Sequence, residues 1–301
     1  MTETIPPLLR SVLYMPANNE RALAKLPTLD CDAVIFDLED SVAPDTKPGA
    51  REQLRAHFEA GFETHAVKAI RINGIDTPWF TEDLMAARAC LPDAIVMPKV
   101  SQRAHLQLVE DALSETDAPK SIKLWAMIET AAGVLNVADI ARQARSTVDR
   151  LEALILGTND LFKEIALSEQ NAREIAHSWL MQIILAAKAN GIAAIDGVFN
   201  GFRDINGLEL ECKKGASMGF DGKTLIHPAQ ITPANLLFAP SEEAVAEAQA
   251  IVAAFDQPEN ADKGVISLGG KMVERLHADQ ARALLARQVA IKACEMTREE
   301  K

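Results

Sequence analysis

Short, mostly apolar runs alternate with segments of helical periodicity along most of the chain, and this alternation limits the folds open to it. Such runs are typical of strands that are buried on both faces of a parallel sheet. The predicted strands are 11–15, 33–37, 66–72, 94–98, 124–128, 151–156, 192–196 and 223–226. The predicted helices are 20–26, 47–60, 77–91, 101–114, 134–145, a long stretch ending near Asn190, and 205–218, with Thr77 and Ser101 as capping residues.

Eight strand–helix repeats predict a closed (β/α)8 barrel, the TIM barrel of the α/β class. An open doubly wound sheet is the alternative, but no G-x-G-x-x-G segment follows the first predicted strand. The barrel is predicted to span residues 9–238. Residues 239–301 are predicted to form a C-terminal helical extension, because this segment is too short to bury a convincing core alone. Within it we expect a helix at 241–255 with Ser241 as its capping residue, a second helix at 276–294 and an extended piece at 265–268.

The charge balance and the cysteines narrow the class of protein. The chain has 43 acidic and 31 basic residues and a formal net charge of -12, which disfavours nonspecific binding of nucleic acid. Neither a secretory signal nor a membrane-length apolar run is present in the sequence. The four cysteines are scattered without metal-type pairing, as in proteins of a reducing compartment. We therefore predict a cytoplasmic protein with no membrane or nucleic-acid partner.

Polar residues follow the predicted strands at their carboxyl ends, where (β/α)8 enzymes carry their chemistry. They are Asp37, Glu39 and Asp40 at strand two, Arg71 and Asn73 at three, Lys99 at four, Glu129 at five, Asp160 at six, Asp196 at seven and His227 at eight. The sequence therefore predicts an active site at this end of the barrel.

Glu129 and Asp160 come from neighbouring strand ends and would repel each other in an apolar mouth unless a cation joined them. Oxygen ligands without His or Cys favour a hard ion, and Mg²⁺ commonly takes one or two carboxylates and completes its shell with water or substrate. The alternative is that each carboxylate caps the helix that follows it.

Arg71 lies in a buried strand and needs an anionic partner, in the protein or in a ligand. A structural salt bridge to Glu39 or Asp40 is one possibility. The acidic segment 37–40 is interpreted as a carboxylate network that orients Arg71 and Lys99 rather than as a catalytic group.

The segment 219–228 (GFDGKTLIHP) is either a tight turn into the last strand or part of an anion site, because the loop after this strand often helps to hold phosphate in barrels. In the second case Lys223 contacts an anionic group of the ligand. His227 is interpreted as a hydrogen-bonded structural residue rather than an acid–base catalyst.

Eight segments occur in the order found in one known family. They are RSVLYMPANN, AVIFDLEDSVAPDTK, RIN, MPKV, IETAAGV, GTNDL, IDGV and GFDGKTLIHPAQI. Together with GGKMVERLH they resemble the citrate lyase β-subunit-like lyases, which include malyl-CoA and citramalyl-CoA lyases within the HpcH/HpaI aldolase superfamily. The resemblance extends from about Leu9 to His277.

The resemblance implies a homotrimer or hexamer that uses Mg²⁺ held by Glu129 and Asp160, with Arg71 facing the thioester carbonyl. It places CoA across the barrel mouth, near the 16–18 loop and Lys223. It also implies that the C-terminal extension acts as a lid and supplies an acid–base carboxylate to a neighbouring subunit. Here that residue is Glu274, where relatives usually have aspartate, and Ala17 replaces a glycine found in many relatives.

We therefore predict a reversible carbon–carbon lyase that converts a small 3-hydroxyacyl-CoA into acetyl-CoA and a 2-oxo acid. Arg71 and Glu274 are the predicted catalytic residues, and Arg71, Glu129, Asp40 and Lys223 are the predicted substrate contacts. Arg71 would stabilise the enolate, and Glu274 would protonate the acetyl-CoA carbon. The alternatives are a malyl-CoA thioesterase with the same site, a citrate lyase subunit acting on an acyl-carrier protein, a pyruvate aldolase without CoA, and a catalytically silent scaffold.

Overall fold

The computed structural model describes residues 7–146, 148–168, 171–260 and 262–299. It divides the chain into two compact units: Leu9–Phe238, and the residues from Ala239 onward together with those before Leu9. Among the described residues, no helix combines the length and the apolar character needed to cross a membrane.

Eight parallel strands pair in sequence order, and the last pairs with the first to close a barrel. They are β1 (Ser11–Pro16), β2 (Ala33–Asp37), β3 (Val67–Arg71), β4 (Ala94–Met97), β5 (Lys123–Ile128), β6 (Leu151–Leu156), β7 (Ala193–Asp196) and β8 (Gly222–Leu225). At the closure Ser11 lies beside Lys223. Gly222 is required there, because a Cβ atom at this position would overlap the Leu9 carbonyl. The predicted (β/α)8 barrel is confirmed.

Helices surround these strands. They are α1 (Glu20–Leu23), α2 (Lys47–Ala60), α3 (Phe80–Cys90), α4 (Arg103–Glu115), α5 (Ala131–Arg142), α6 (Thr158–Glu164), α7 (Ala172–Ile175), α8 (His177–Asn190), α9 (Ile205–Met218) and α10 (Ile231–Leu237). Short 3-10 helices lie at Leu26–Thr28, Pro44–Thr46, Gln143–Arg145 and Pro228–Gln230. α2 and α9 begin and end where the sequence predicts.

The two capping residues predicted within the barrel are wrong. α3 begins at Phe80, and Thr77 instead donates its hydroxyl hydrogen to the carbonyl three residues earlier, in a turn before the helix. α4 begins at Arg103 with Gln102 as its N-cap, so Ser101 lies one residue too early. Side chains that cap helices also stabilise local turns, so their presence alone does not locate a helix start.

The long helical stretch predicted after β6 is three helices, α6 to α8. Ala166 and Asn171 adopt positive φ angles of 54° and 59°, which a continuing α-helix does not allow. α5 also starts three residues earlier than predicted, at Ala131, because Thr130 caps it by accepting a hydrogen bond from the Gly133 N–H.

The barrel interior is filled by inward-facing strand residues. Val12, Ile35, Val96, Trp125 and Ile155 belong to this inner cluster, and each is fully buried. A second and larger cluster packs the outer faces of the strands against the helices. Burial on both faces explains why the strands read as continuous apolar runs.

The C-terminal unit contains α11 (Glu242–Phe255), a 3-10 helix at Pro258–Asn260, an antiparallel pair of strands, β9 (Val265–Leu268) and β10 (Lys271–Glu274), and α12 (Arg275–Glu299). Ser241 caps α11 as predicted. Gly269 and Gly270 form the turn between the strands at φ angles of 57° and 79°. The sequence predicts β9 and the turn but not β10.

Candidate active site at the barrel mouth

The carboxyl ends of the strands surround a cavity of about 360 Å³. Its charged lining is mostly acidic, with Asp37, Asp40, Glu129 and Asp160 facing one base, Arg71. The strand ends bring these side chains to the mouth: Asp37 and Arg71 end β2 and β3, and Glu129 directly follows β5. Asp40 and Asp160 lie in the segments that follow β2 and β6. The structure therefore brings together the barrel residues predicted to hold the metal or contact the substrate, except Lys223, whereas the strand-end residues Asn73 and Asp196 are buried away from this cavity.

Arg71 is held rigidly at the end of β3. Its Nε and Nη2 donate to the two Oδ atoms of Asp37, both at 2.7 Å, and its Nη1 lies 2.9 Å from Oε2 of Glu39. The guanidinium also stacks 4.8 Å from the ring centre of Tyr14. Only 9% of the side chain is exposed, so this cation is fixed in position but still lines the cavity. The structural salt bridge left open for Arg71 is therefore present, with Asp37 as a partner in addition to the predicted Glu39, and a contact between Arg71 and a ligand stays a prediction.

The acidic loop after β2 is folded around Asp37. This carboxylate accepts hydrogen bonds from the Glu39 and Ser41 N–H groups at 2.9 and 3.0 Å. Burial alone would raise the pKa of Asp37, but the Arg71 guanidinium and these hydrogen bonds hold it below its usual range. The buried Lys47 donates to the carbonyls of Leu38 and Glu39, which fixes the loop from behind. The loop is thus a preorganised carboxylate network, as predicted.

Lys99 connects this network with the two predicted metal ligands. Its Nζ donates to Oε1 of Glu39 at 2.8 Å and lies 3.4 Å from Oδ2 of Asp160, while its backbone N–H donates to Oε1 of Glu129 at 2.8 Å. Burial opposes its charge, but the hydrogen bond and charge of Glu39 raise the pKa of Lys99 above its ordinary value. Lys99 is therefore the cation that touches both sides of the acidic mouth.

Neither Glu129 nor Asp160 caps a helix. The N-cap of α5 is Thr130, and that of α6 is Gly157, so Asp160 is the third residue of its helix. Glu129 packs closely against Gly157, where a Cβ atom would overlap its Cβ and Oε2 atoms. The capping alternative is therefore wrong for both carboxylates.

The electrostatics at Glu129 favour a bound cation. Burial and the negative charge of Glu39 together raise the pKa of Glu129 to about 7. A divalent ion would relieve this accumulation of negative charge. Among the described residues no group of three or more His, Cys, Asp or Glu side chains is arranged around one metal position. A cation between Glu129 and Asp160 would therefore take its other ligands from water or substrate, as Mg²⁺ commonly does.

Lys223 does not face the mouth. Its side chain is 0% exposed, and its Nζ lies 2.8 Å from Asp196 and 2.6 Å from Glu211, on the side of β8 covered by α9. Arg173 of α7 completes the group, 3.0 Å from Asp196. The predicted contact between Lys223 and an anionic ligand is wrong, because this lysine neutralises buried carboxylates of the protein. Asp196, at the end of β7, belongs to the same buried group.

His227 behaves as predicted. Its Nδ1 accepts a hydrogen bond from the Ala229 N–H at 3.1 Å and thereby caps the 3-10 helix after β8. Its ring stacks on Phe202 with 5.2 Å between the ring centres. These contacts describe a structural residue at the rim.

Glu274 is the last residue of β10, in the C-terminal unit. Its carboxylate is exposed, and its backbone N–H donates to Nδ1 of His277 at 2.9 Å. An exposed carboxylate at the end of a hairpin is available to another molecule, and the catalytic role of Glu274 stays a prediction.

Sequence reasoning missed Tyr14, Lys47 and Gly157. Tyr14 is the only tyrosine of the chain, and its position at the end of the first strand was a signal that it lies near the mouth. Its hydroxyl donates to the Met127 sulfur at 3.6 Å. The roles of Lys47 and Gly157 depend on contacts between distant segments, for which the sequence offers no local signal.

The family model described as HpcH/HpaI aldolase/citrate lyase matches residues 10–228. A (3S)-malyl-CoA thioesterase of Cereibacter sphaeroides is 46% identical over 284 residues, covering 94% of this chain and 96% of that protein. The mitochondrial citramalyl-CoA lyase of Homo sapiens is 31% identical over 294 residues, and the match covers 94% of this chain and 86% of that protein.

Among solved structures, protein CitE from Mycobacterium tuberculosis in complex with magnesium, acetoacetate and coenzyme A superposes with a TM-score of 0.73. It is 29% identical, and the match covers 94% of this chain and 98% of that one. The barrel fold, the order of the sequence motifs and the similarity over nearly the whole chain all indicate the same family. The chain belongs to the HpcH/HpaI aldolase/citrate lyase family of enzymes.

Proposed function

We propose that the barrel mouth binds a small 3-hydroxyacyl-CoA of the malyl type together with Mg²⁺ and hydrolyses its thioester, releasing CoA and the free hydroxy acid. The observation that carries this choice is the similarity to the Cereibacter sphaeroides thioesterase, which extends over nearly the whole of both chains. The charged mouth supports the proposal, because it offers a cation site and a fixed guanidinium next to one cavity.

Glu129 and Asp160 are the residues that would hold the metal. When bound, Mg²⁺ supplies a Lewis acid that polarises substrate oxygens and orients the substrate. Lys99 contacts both carboxylates, and Glu39 holds the Lys99 ammonium in place.

Arg71 is proposed to stabilise the negative charge that develops on the thioester oxygen. A donor that is already oriented gives more stabilisation than one that must reorganise during the reaction. The paired hydrogen bonds to Asp37 and the Tyr14 ring provide this orientation. Asp40, whose side chain is 66% exposed, lies 3.8 Å from Nη1 of Arg71 and is proposed to contact the polar end of the substrate.

Glu274 is proposed to accept the proton of the attacking water. This role requires the C-terminal extension to act as a lid on a neighbouring subunit, in a homotrimer or hexamer, as the family resemblance implies. The scattered cysteines favour the cytoplasm as the location of this assembly. Glutamate carries its carboxylate one methylene further than the usual aspartate does. A shift of about 1 Å in a reacting group can change a rate by about 100-fold. The longer side chain can therefore favour hydrolysis, in which the carboxylate takes a proton from water, over the lyase reaction, in which it exchanges a proton with the acetyl-CoA carbon.

Carbon–carbon cleavage is the second candidate, giving acetyl-CoA and a 2-oxo acid. It is favoured by the 31% identity to the human citramalyl-CoA lyase and by the likeness to a CitE complex with magnesium, acetoacetate and coenzyme A. In this reaction Arg71 stabilises the enolate, and Glu274 transfers the proton to or from the acetyl-CoA carbon.

The two candidates differ in their products. Purified protein is incubated with Mg²⁺ and malyl-CoA, and with citramalyl-CoA in parallel, while free thiol and 2-oxo acid are measured separately. We expect thiol without oxo acid, and loss of turnover in Glu129→Gln. Oxo acid without thiol would make the lyase assignment right and ours wrong. In a thioesterase, Glu274→Asp tests whether the longer side chain selects hydrolysis.

A further inference from the structure

Lys99 has a backbone conformation that its residue type does not favour. Its φ angle is 54°, in the left-handed region, two residues after the end of the buried strand β4. A residue without glycine's freedom stays in this region only when its surroundings enforce it, and such residues are concentrated at functional sites. Here the enforcing contact is the hydrogen bond from the Lys99 N–H to Glu129.

This conformation allows one residue to reach the metal site twice. The backbone contacts Glu129, and the ammonium lies between Glu39 and Asp160 at 2.8 and 3.4 Å. The ammonium thus compensates the charge of Asp160, the carboxylate that a divalent ion would also need. Two cations that neutralise the same carboxylate repel each other, so each weakens the binding of the other.

Lys99 is also the cation at this mouth that is able to move. Its side chain is 46% exposed, whereas that of Arg71 is 9% exposed and held by two carboxylates. The contact with Asp160 is the longer of its two ion pairs, and a lysine ammonium on a flexible stem reorients easily. Its hydrogen bond to Glu39 can persist while the contact with Asp160 is released.

We propose that Lys99 is a resident counter-cation that Mg²⁺ displaces from Asp160, so that this lysine sets the metal affinity of the site. The inference rests on the proposed function, because it takes Glu129 and Asp160 as the ligands. In this role Lys99 is a positioning residue. It keeps the acidic mouth neutralised and ordered before the metal binds, and its ammonium turns toward Glu39 when the metal arrives.

The test is a calorimetric titration of the full-length protein with MgCl2 at pH 8, without substrate. Removing a unit charge a few ångströms from the ion is expected to tighten Mg²⁺ binding about tenfold in Lys99→Met. Lys99→Arg, which keeps the charge, should bind Mg²⁺ like the parent. Lys120→Met is the matched control: it removes the same charge in the turn that precedes β5, at the opposite end of the barrel, where Lys120 pairs with Asp149.

The outcomes separate the two proposals. Damage to the fold loosens metal binding, so tighter binding in Lys99→Met supports the displacement directly. Unchanged or weaker binding in Lys99→Met, with a parent that binds Mg²⁺ and a Glu129→Gln variant that does not, would overturn the role of Lys99 and leave the metal site intact. A parent that does not bind Mg²⁺ overturns both. If Lys99→Met fails to fold by circular dichroism, Lys99→Gln gives the same comparison.

Discussion

Replacing Lys223 with methionine is expected to destabilise the barrel and to leave substrate binding unchanged. The lysine is 0% exposed, and its Nζ forms ion pairs with Asp196 and Glu211 at 2.8 and 2.6 Å. Methionine fills a similar volume but carries no charge. The substitution therefore leaves two carboxylates with one cation, Arg173, which already lies 3.0 Å from Asp196 and 3.5 Å from Glu211.

The size of the effect follows from this arrangement. Removing one partner of a buried ion pair commonly costs about 3–5 kcal/mol, because the remaining charge is left buried without compensation. Arg173 stays in contact with both acids, so we expect the lower end of this range, about 3 kcal/mol. Had Lys223 been a ligand contact, the same substitution would raise KM and hardly change the free energy of unfolding.

The assay is urea unfolding followed by tryptophan fluorescence, which reports on the barrel because all three tryptophans lie between Leu9 and Phe238. Lys213→Met is the matched control. Lys213 is 60% exposed and lies 3.8 Å from Glu209 on the same helix, so its loss should cost less than about 0.5 kcal/mol. A Lys223→Met protein with parental stability and a raised KM for the CoA ester would refute the reasoning.

Two further substitutions test the site and the buried charges. Gly157→Ala should lower kcat about 100-fold, because the added methyl group would displace the Glu129 carboxylate. Gly49→Ala is the control, because a Cβ atom at this helical position would have no atom within 4 Å. Equal kcat values in the two variants would contradict the prediction. Burial would raise the pKa of Asp196, but the charge of Lys223 holds this pKa below its usual range. The ionised carboxylate therefore stabilises the fold above about pH 4, and this stabilisation is lost as the pH falls further and the carboxylate is protonated. Urea titrations from about pH 5 to pH 3 should therefore show a steeper loss of stability in the parent than in Asp196→Asn; equal slopes would argue against it.

The barrel was predictable from the sequence because its strands are buried on both faces. That burial makes each strand a continuous apolar run, and β2 and β6 were predicted to the residue. The mouth was predictable for a related reason, since polar residues directly after such runs can only lie at the strand ends. Glu129 and Asp160 were located in this way.

Lys223 shows where this reasoning stops. It lies within β8, where a shift of one position along the strand exchanges the cavity side for the helix side. The sequence GKTL contains no apolar alternation that would fix the choice. The partners that fix it, Asp196 and Glu211, lie 27 and 12 residues away in the chain. The same limit applies to Gly157, whose importance comes from the Glu129 side chain on the neighbouring strand.

Trp125 helps to close the barrel below the cavity. In the barrel as described, its indole and the other inner side chains occupy the axis below the mouth, so the cavity is a cup rather than a tunnel. Whatever enters from the mouth must leave by the same opening. For a reaction that divides one substrate into two fragments, product release is therefore ordered: the fragment bound nearer the rim leaves first, and the deeper fragment leaves after it.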